Sequence, residues 1–278
     1  MLTPAVQLLH PQVRELVEQR GWKLTPVQEA ATADLVEGEN RILVAPTGSG
    51  KTEAAVLPIA SRALKEEWSS LSILYITPLR ALNRDIDRRL ANLLEPLGIS
   101  VGLRHGDTSQ KERTKQSKNP PNLLVTTPET AQIMLLGSRL RKHLAGVKAV
   151  ILDEVHDLAA SERGAQLLIG LERISALEGS SGRFQRVGLS ATVGNPEEVA
   201  NWMSDGAKPI FGPAPRTTKV TVHRETPTAE DDLLAGEWAI SPKSIAALRH
   251  LAQTLIEDSP SLVLSLIHIS EPTRPRII

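Results

Sequence analysis

Short apolar runs alternate with longer amphipathic segments along most of the chain. The runs are rich in Ile, Leu and Val and do not alternate with polar residues, which is typical of strands buried on both faces of a sheet. The segments between them have helical spacing with one polar face. The pattern predicts an α/β fold, a mostly parallel sheet with helices on both faces. The predicted strands are Ile42–Val44, Ile73–Ile76, Ile99–Val101, Leu123–Val125, Val147–Leu152 and Val187–Leu189, and the predicted helices are Lys51–Glu67, Leu79–Leu94, Glu129–Leu136, Glu162–Leu177 and Pro196–Met203.

The pattern changes beyond about Phe211. Gly and Pro residues predict a linker, followed by the opening of a second domain and a tail in which Pro272 and Pro275 stop any regular element. The tail resembles the translated read-through of a sequencing-library adaptor, and we expect that it does not belong to the protein. The predicted elements here are an alternating run at 219–223, an acidic loop at Glu230–Asp232, a helix at Pro242–Ile256 and a strand start at Ser261–Leu264. The predicted limits are 1–211 for the first domain, 212–264 for the linker and the incomplete second domain, and 265–278 for the tail.

Composition narrows the class of protein. The 278 residues include 32 Lys and Arg and 32 Asp and Glu, so the net charge argues neither for nor against a nucleic-acid partner, because a local groove can still be basic. The absence of cysteine excludes disulfides, thiolate nucleophiles and Cys-based metal sites. No stretch approaches the ~18 apolar residues of a membrane span, and the start lacks a secretion signal. We expect a soluble, cytoplasmic protein with no membrane partner.

A glycine-rich segment at 45–53 has the sequence Ala-Pro-Thr-Gly-Ser-Gly-Lys-Thr-Glu. It follows a predicted strand and opens a predicted helix, the context in which backbone N–H groups bind phosphates. Lys51 would then bridge the β- and γ-phosphates, and the Thr52 hydroxyl would bind Mg²⁺. Ala45 stands where the usual pattern has glycine, which leaves an accidental glycine-rich turn as the alternative. The predicted nucleotide-binding residues of the loop are Thr47, Gly48, Ser49, Gly50, Lys51 and Thr52.

Two adjacent carboxylates, Asp153 and Glu154, follow the apolar run Val150–Leu152. Asp153 is placed to hold Mg²⁺, and Glu154 to act as general base for an attacking water. A solvated strand end before a helix is the alternative. We predict Lys51, Asp153 and Glu154 as catalytic residues, and Thr52 and Asp153 as metal ligands.

Polar groups follow each predicted strand. In open parallel sheets, ligands bind outside the carboxyl ends of the strands. We therefore expect one functional edge, built from residues 47–52, 77–80, 105–108, 126–129, 153–156 and 190–192.

Seven segments together resemble superfamily II helicases, and within them the large helicase-related (Lhr) family. The resemblance extends from about residue 15 to about residue 205, and it implies a RecA-like P-loop NTPase domain with ATP and Mg²⁺ as cofactors. The implied function is an ATP-dependent helicase or translocase, a DNA helicase of the Lhr type in repair or recombination. The segments are Thr25–Gln28, Ala45–Glu53, Thr77–Asn83, Arg104–Thr108, Thr126–Glu129, Asp153–His156 and Gly188–Pro196.

The resemblance implies roles outside the phosphate loop. Gln28 would bind the adenine edge of ATP, with a surface glutamine as the alternative. Arg80, Thr126 and Thr127 would contact the backbone of a single strand of nucleic acid, although Arg80 could be an ordinary exposed helix arginine. The residues implied to couple nucleotide state to strand binding are His156, Ser190 and Thr192.

Other residues keep two interpretations. Trp22 fits a core position better than one beside the adenine. Asp107, in a turn with His105, fits either a functional role or the cap of a helix starting near Thr108. Ser190 fits either the coupling role or a buried serine bonded to its own backbone.

Several functions remain open at this stage. Single-stranded DNA is favoured over RNA as the partner, and an RNA helicase, a non-motor nucleotide switch and a small-molecule kinase are the alternatives. Motors of this class close the ATP cleft with arginines from a second domain, and no such segment follows Leu264. We therefore expect weak nucleotide binding and little turnover from this chain.

Overall fold

Seven parallel strands form one sheet in the computed structural model, which describes residues 3–78, 83–180, 182–191, 193–212, 224–238 and 240–257. The strand order is β3-β4-β2-β5-β6-β1-β7, and every recorded pairing is parallel. The predicted α/β class is confirmed. The strands are β1 (Arg41–Val44), β2 (Ile73–Ile76), β3 (Val101–Arg104), β4 (Leu123–Thr126), β5 (Ala149–Leu152), β6 (Gln185–Ser190) and β7 (Lys208–Phe211).

Helices cover both faces of this sheet. The helices α2 to α5 pack on one face and α7 to α11 on the other. The neighbouring strands β4, β2 and β5 are buried at every position, which explains their continuous apolarity. The helices are α1 (Pro4–Leu8), α2 (Pro11–Gln19), α3 (Pro26–Val36), α4 (Lys51–Lys65), α5 (Asn83–Leu94), α6 (Gln110–Lys118), α7 (Pro128–Met134), α8 (Ser138–Leu144), α9 (Val155–Ala159), α10 (Glu162–Ser175) and α11 (Pro196–Met203).

A second unit, Thr217–Ile278, contains two described helices, α12 (Ala229–Trp238) and α13 (Pro242–Glu257). The predicted acidic loop Glu230–Asp232 is wrong, because these residues form the first turn of α12. There the acids lie at the positive end of the helix, and Asp231 Oδ2 accepts a hydrogen bond from the Thr228 N–H at 2.8 Å. The predicted limits at 211 and 264 stay predictions. Residues 213–215, the run 219–223, the strand start Ser261–Leu264 and the tail 265–278 lie outside the described residues.

Helix starts follow the local sequence closely. Proline occupies the first turn of α3, α7 and α11, where its missing N–H costs nothing. Asn195 caps α11 as its sequence predicts, since its side chain accepts a hydrogen bond from the Glu198 N–H at 3.3 Å. Within the described residues, no helix is both long enough and apolar enough to cross a bilayer.

Two strands differ from the prediction. β3 begins at Val101 because Ser100 donates its N–H to the side chain of Asn122 at 3.0 Å, instead of to a neighbouring strand. β7 was not predicted, because Pro209 argues against a strand. β7 is bonded only to β1, so it is an edge strand among the described residues, and proline is tolerated there.

Replacing Gly164 with alanine is expected to lower the free energy of unfolding by about 1–3 kcal/mol. The new Cβ atom would overlap the Leu158 carbonyl group and lie 2.9 Å from Trp202 Cζ2. Urea unfolding followed by circular dichroism measures the change. Gly137→Ala is the control, because its Cβ would meet only the Met134 carbonyl oxygen, at 3.9 Å, and a change below about 0.5 kcal/mol is expected. Equal stability of the two variants would contradict the close packing of α9 on α10.

Candidate active site

The carboxyl ends of β1, β6 and β5 lie side by side, because β6 pairs with β1 on one side and with β5 on the other. The phosphate loop follows β1, and Asp153 and Glu154 follow β5. The Ala45 N–H donates to the Ser190 carbonyl oxygen at 3.1 Å, which ties the start of the loop to the end of β6. The edge predicted from the sequence therefore exists for these three strands.

The loop at 47–52 turns sharply through two glycines. Gly48 and Gly50 have φ angles of 78° and 85°, in the left-handed region that favours glycine. A Cβ atom at Gly48 would meet nothing within 4 Å, whereas one at Gly50 would lie 2.5 Å from Gln28 Nε2. The Ser49 hydroxyl is buried and has no hydrogen-bond partner among the described residues. The loop thus has open space beside Gly48 and a buried hydroxyl at Ser49 that a ligand can satisfy with a hydrogen bond.

Lys51, the first residue of α4, is bonded to its own loop. Its Nζ donates to the carbonyl oxygens of Ala45 at 2.6 Å and Pro46 at 3.0 Å. Burial lowers the pKa of Lys51, and the charges of Glu154 and Asp153 oppose this shift. The structure therefore brings the lysine and both carboxylates within electrostatic reach of one another.

Asp153 is held by two donors. Tyr75 Oη donates to its Oδ2 at 2.7 Å, and the Glu154 N–H donates to its Oδ1 at 3.0 Å. Burial raises the pKa of Asp153, while the bond from Tyr75 acts in the opposite direction. The Thr52 side chain lies near Tyr75 and opposes the upward shift of its pKa. One buried phenol thus holds one predicted metal ligand and lies near the other.

Glu154 has a strained backbone. Its φ of 46° is left-handed, which costs a non-glycine residue of order 1–3 kcal/mol and is concentrated at functional sites. Burial and then the neighbouring charge of Asp153 raise the pKa of Glu154. A carboxylate with a raised pKa is better suited to accept a proton at neutral pH.

The donor set fits a Mg²⁺ ion bound together with a nucleotide. Mg²⁺ in nucleotide sites takes one or two carboxylates, phosphate oxygens and water. Asp153 would supply the carboxylate and Thr52 a hydroxyl, and the Ser49 hydroxyl of the same loop has no partner among the described residues. No group of three or more His, Asp or Glu able to hold a metal ion lies within the described ranges.

His156 and Ser190 are in contact. Ser190 Oγ lies 3.0 Å from His156 Nδ1, and His156 Nδ1 lies 3.6 Å from Glu154 Oε2. These contacts connect the end of β6 with the carboxylates after β5. They argue against a serine bonded only to its own backbone. Thr192, the third residue predicted for coupling, lies outside the described residues.

Gln28 is buried against the phosphate loop. Its side chain accepts from the Thr25 N–H at 2.9 Å and donates to the Gly50 carbonyl oxygen at 3.1 Å. The surface alternative is wrong, because only 8% of the residue is exposed.

Trp22 is 39% exposed, so the core position favoured from the sequence is wrong too. It lies in a cavity of about 340 Å³ that Glu53 and Arg89 also line.

The residues predicted to bind nucleic acid are placed only in part. Arg80 lies outside the described residues. Thr126 and Thr127 are buried, with 0% and 1% of each exposed. Thr127 Oγ1 caps α7 by accepting from the Thr130 N–H at 3.3 Å. Any contact of Thr127 with a strand would therefore come from its main chain or from the start of α7.

The turn after β3 has a structural explanation. His105 Nδ1 accepts from the Asp107 N–H at 3.1 Å, and the Thr108 hydroxyl accepts from the His105 N–H at 2.9 Å. Ser109 caps α6 by accepting from the Glu112 N–H. The capping role weighed for Asp107 is therefore wrong.

Two groups beside the site were not predicted from the sequence. Tyr75 lies within an apolar strand and gave no indication of a polar role, although a buried tyrosine normally requires a hydrogen-bond partner. Arg89 on α5 forms a two-oxygen ion pair with Glu53 on α4, with the closest atoms 2.6 Å apart. Only the fold brings these residues together.

Comparisons with known proteins identify similar sequences and structures. The DEAD/DEAH box helicase family model matches residues 25–199. The chain is 40% identical over 215 residues to the ATP-dependent helicase Lhr-Core of Methanothermobacter thermautotrophicus, and the match covers 70% of this chain and 24% of that protein. It is 40% identical over 207 residues to the Lhr helicase/uracil glycosylase of Escherichia coli, with 67% of this chain and 13% of that protein covered.

A solved structure with the same fold is that of Mycobacterium smegmatis helicase Lhr bound to ssDNA and AMP-PNP. The TM-score is 0.71 and the identity 37%, and the match covers 81% of this chain and 30% of that one. The chain thus spans a quarter or less of the length of the two curated relatives.

The sole tyrosine of the sequence makes the Asp153 contact measurable. Burial, followed by the Asp153 charge, raises the pKa of Tyr75 well above its usual range. Absorbance at 295 nm is therefore expected to stay flat near pH 10 while circular dichroism remains native. An unfolded chain ionises its tyrosine at the usual pKa, so the free energy of unfolding should fall as pH rises above that value.

Asp153→Asn is expected to move the ionisation of Tyr75 to lower pH, because the neighbouring negative charge is removed. Asp157→Asn, which removes an exposed carboxylate on α9, is the control and should leave it unchanged. Ionisation near pH 10 in the folded wild-type chain would contradict the buried contact.

Proposed function

Because the chain belongs to the DEAD/DEAH box helicase family, we propose that it binds Mg²⁺-ATP at the loop 47–52 as the ATP-binding half of a motor, and that the whole protein hydrolyses ATP to drive movement along a single strand of nucleic acid. The observation that carries this proposal is the meeting of Lys51, Asp153 and Glu154 at one edge of the sheet. A nucleotide switch without hydrolysis has less need of a base beside the metal carboxylate.

Binding begins with an exchange of partners at Lys51. The ammonium group leaves the carbonyl oxygens of Ala45 and Pro46 and contacts the β- and γ-phosphates, which are stronger, charged acceptors. The backbone N–H groups from Thr47 to Gly50 and the start of α4 bind the phosphate oxygens. Gln28 fixes Gly50 through its amide, and in the proposal it also lies beside the adenine.

Hydrolysis depends on two carboxylates with different roles. Asp153 and the Thr52 hydroxyl would hold Mg²⁺, and Tyr75 fixes the orientation of the Asp153 carboxylate. The ion, once bound, neutralises negative charge on the phosphates. Glu154 accepts the proton of the attacking water. The contact of His156 with Ser190 then passes a change in the nucleotide site to the neighbouring strand end, where Thr192 follows.

The proposed partner is single-stranded DNA rather than RNA. The supporting observation is the 37% identical Mycobacterium smegmatis Lhr structure, which contains ssDNA. Arg80 and the main chain at Thr126–Thr127 are the proposed contacts. Contacts of this type go to sugar and phosphate, so binding should be independent of sequence and sensitive to salt.

Lys51→Ala is expected to weaken binding of the fluorescent nucleotide mant-ATP by about 10- to 100-fold, because hydrogen bonds to charged groups are lost. A titration with and without Mg²⁺ measures the effect, and Lys65→Ala, an exposed lysine at the end of the same helix, is the control. Glu154→Gln is expected to retain binding and to lower any strand-stimulated phosphate release about 10²-fold or more. Equal binding by the Lys51 and Lys65 variants would sink the proposed nucleotide site.

The DNA preference is tested with two oligomers of equal length, dU20 and rU20, which differ only at the 2′ position. Each carries fluorescein, and anisotropy is followed in the presence of a non-hydrolysable ATP analogue. We expect tighter binding of dU20, since the proposed contacts go to sugar and phosphate and the 2′-hydroxyl is the group that distinguishes the two sugars. Tighter binding of rU20 would favour an RNA helicase instead.

A further inference from the structure

The helices α6 and α8 lie beside each other, and α6 contacts β3, an edge strand of the described sheet, through the bond from Gln116 Nε2 to the Leu103 carbonyl oxygen. Together they carry seven Lys and Arg residues and a single acid, Glu112, in a chain whose net charge is zero. Positive charge is therefore concentrated at one side of the first unit. The basic residues are Lys111, Arg113, Lys115, Lys118, Arg139, Arg141 and Lys142.

Five of these cations are exposed and form no ion pair among the described residues: Lys111, Lys115, Lys118, Arg141 and Lys142. Five arginines elsewhere in the unit are paired with acids, as in the contacts of Arg41 with Asp34 and of Arg186 with Glu172. Unpaired like charges repel one another and destabilise the surface that carries them. An anionic ligand would remove that cost.

The three lysines of α6 form a stripe. Their spacing of four and three residues places them on one face of the helix. A stripe from Lys111 to Lys118 extends about 10 Å, at 1.5 Å per residue. Successive phosphates of a stacked strand advance by about 3.4 Å, so the stripe is long enough to follow about three of them.

A groove of about 550 Å³ lies beside the stripe, between α6 and the start of α8. Arg104 and Arg113 line it together with Thr114 and Ser138. The Arg113 guanidinium is held rigidly, because it donates to the carbonyl oxygens of Thr108, His105 and Gly106 at 2.9, 3.1 and 2.6 Å. Burial and then the charge of Arg113 lower the pKa of Arg104. Two fixed guanidinium groups thus share a concave surface, and neither has a carboxylate partner among the described residues.

The position of the groove points to the ligand. β3 pairs with β4, whose carboxyl end carries Thr126 and Thr127. The turn that Arg113 holds follows β3 at the same edge. The groove therefore adjoins the proposed strand contacts on the side away from the phosphate loop, since β1 lies at the far side of the sheet.

We propose that this basic groove, with the stripe Lys111, Lys115 and Lys118, holds the phosphate backbone of the same single strand after it passes Thr126 and Thr127. The proposal rests on the proposed function and extends its strand path beyond the family's shared motifs. A row of lysines beside a groove that two guanidinium groups line matches a regularly charged linear chain better than a flat lipid surface or a folded acidic protein.

The test compares two triple variants of the full chain that lose the same charge. Lys111→Gln, Lys115→Gln and Lys118→Gln are combined in one, and Lys23→Gln, Lys65→Gln and Lys208→Gln, exposed lysines elsewhere on the first unit, in the other. Binding of fluorescein-labelled dT20 is measured by anisotropy from 25 to 200 mM KCl. Each lost phosphate contact removes about 0.7 from the slope of log affinity against log salt for single strands. The stripe variant should lose about two units of slope and bind about 10-fold more weakly at low salt, whereas the control should stay within about twofold.

A shorter strand and a second variant sharpen the outcome. A dT6 oligomer, which covers only the Thr126–Thr127 region, should bind both triple variants alike. Arg141→Gln with Lys142→Gln, exposed on the neighbouring helix α8, should reduce the slope for dT20 in the same direction. Thermal unfolding by circular dichroism confirms that each variant is folded.

Identical salt slopes for the stripe and control variants would overturn this proposal while leaving the proposed function intact. Absence of dT20 binding to the wild-type chain would overturn both. Loss of binding to phosphatidylserine vesicles in the stripe variant, with unchanged dT20 binding, would assign the groove to a lipid surface.

Discussion

The parallel pairing of β5, β6 and β1 is the constraint on which the site depends. β6 lies between the other two strands, so all three chain segments end at one edge of the sheet. The pairing places the phosphate loop and the two carboxylates, which are distant in sequence, around a common space. The same sheet has β3 and β4 on its other side, and their ends carry the threonine pair and the turn held by Arg113. The topology therefore places the proposed nucleotide site and the proposed contacts with a nucleic-acid strand at different parts of one sheet.

Burial shifts the pKa values of Lys51, Asp153 and Glu154, and it also carries an energetic cost. An ionised carboxylate such as Asp153 is expensive to bury unless it is hydrogen-bonded and close to a cation. Tyr75, the Glu154 N–H and Lys51 together meet that need. Because each group depends on the others, the network is specific in geometry. The strained backbone of Glu154 is tolerated because both its neighbours, Asp153 and the start of α9, are fixed.

Some parts of this fold and site can be predicted from the sequence and others cannot, for physical reasons. Continuous apolar runs and the glycine-rich loop are local patterns, so the central strands, the loop and the family, now supported by a match over residues 25–199, follow from the sequence. β7 was missed because Pro209 disfavours a strand, although edge strands accept it. The role of Tyr75 was missed because its partners come from other elements. The net charge of zero gave no indication that positive charge is concentrated on α6 and α8. Only the packing of these helices reveals it.

The carbonyl oxygens of Ala45 and Pro46 compete with a phosphate ligand for the ammonium group of Lys51. A ligand with only one phosphate would have to displace both carbonyl contacts of Lys51, and it would offer the ammonium group few charged oxygens in their place. A triphosphate offers the ammonium group several charged oxygens. The loop is thereby biased towards a self-bonded state, and the apparent affinity of every ligand is reduced by the population of that state. Selectivity for polyphosphates over monophosphates would then arise before any contact with the base or sugar is made.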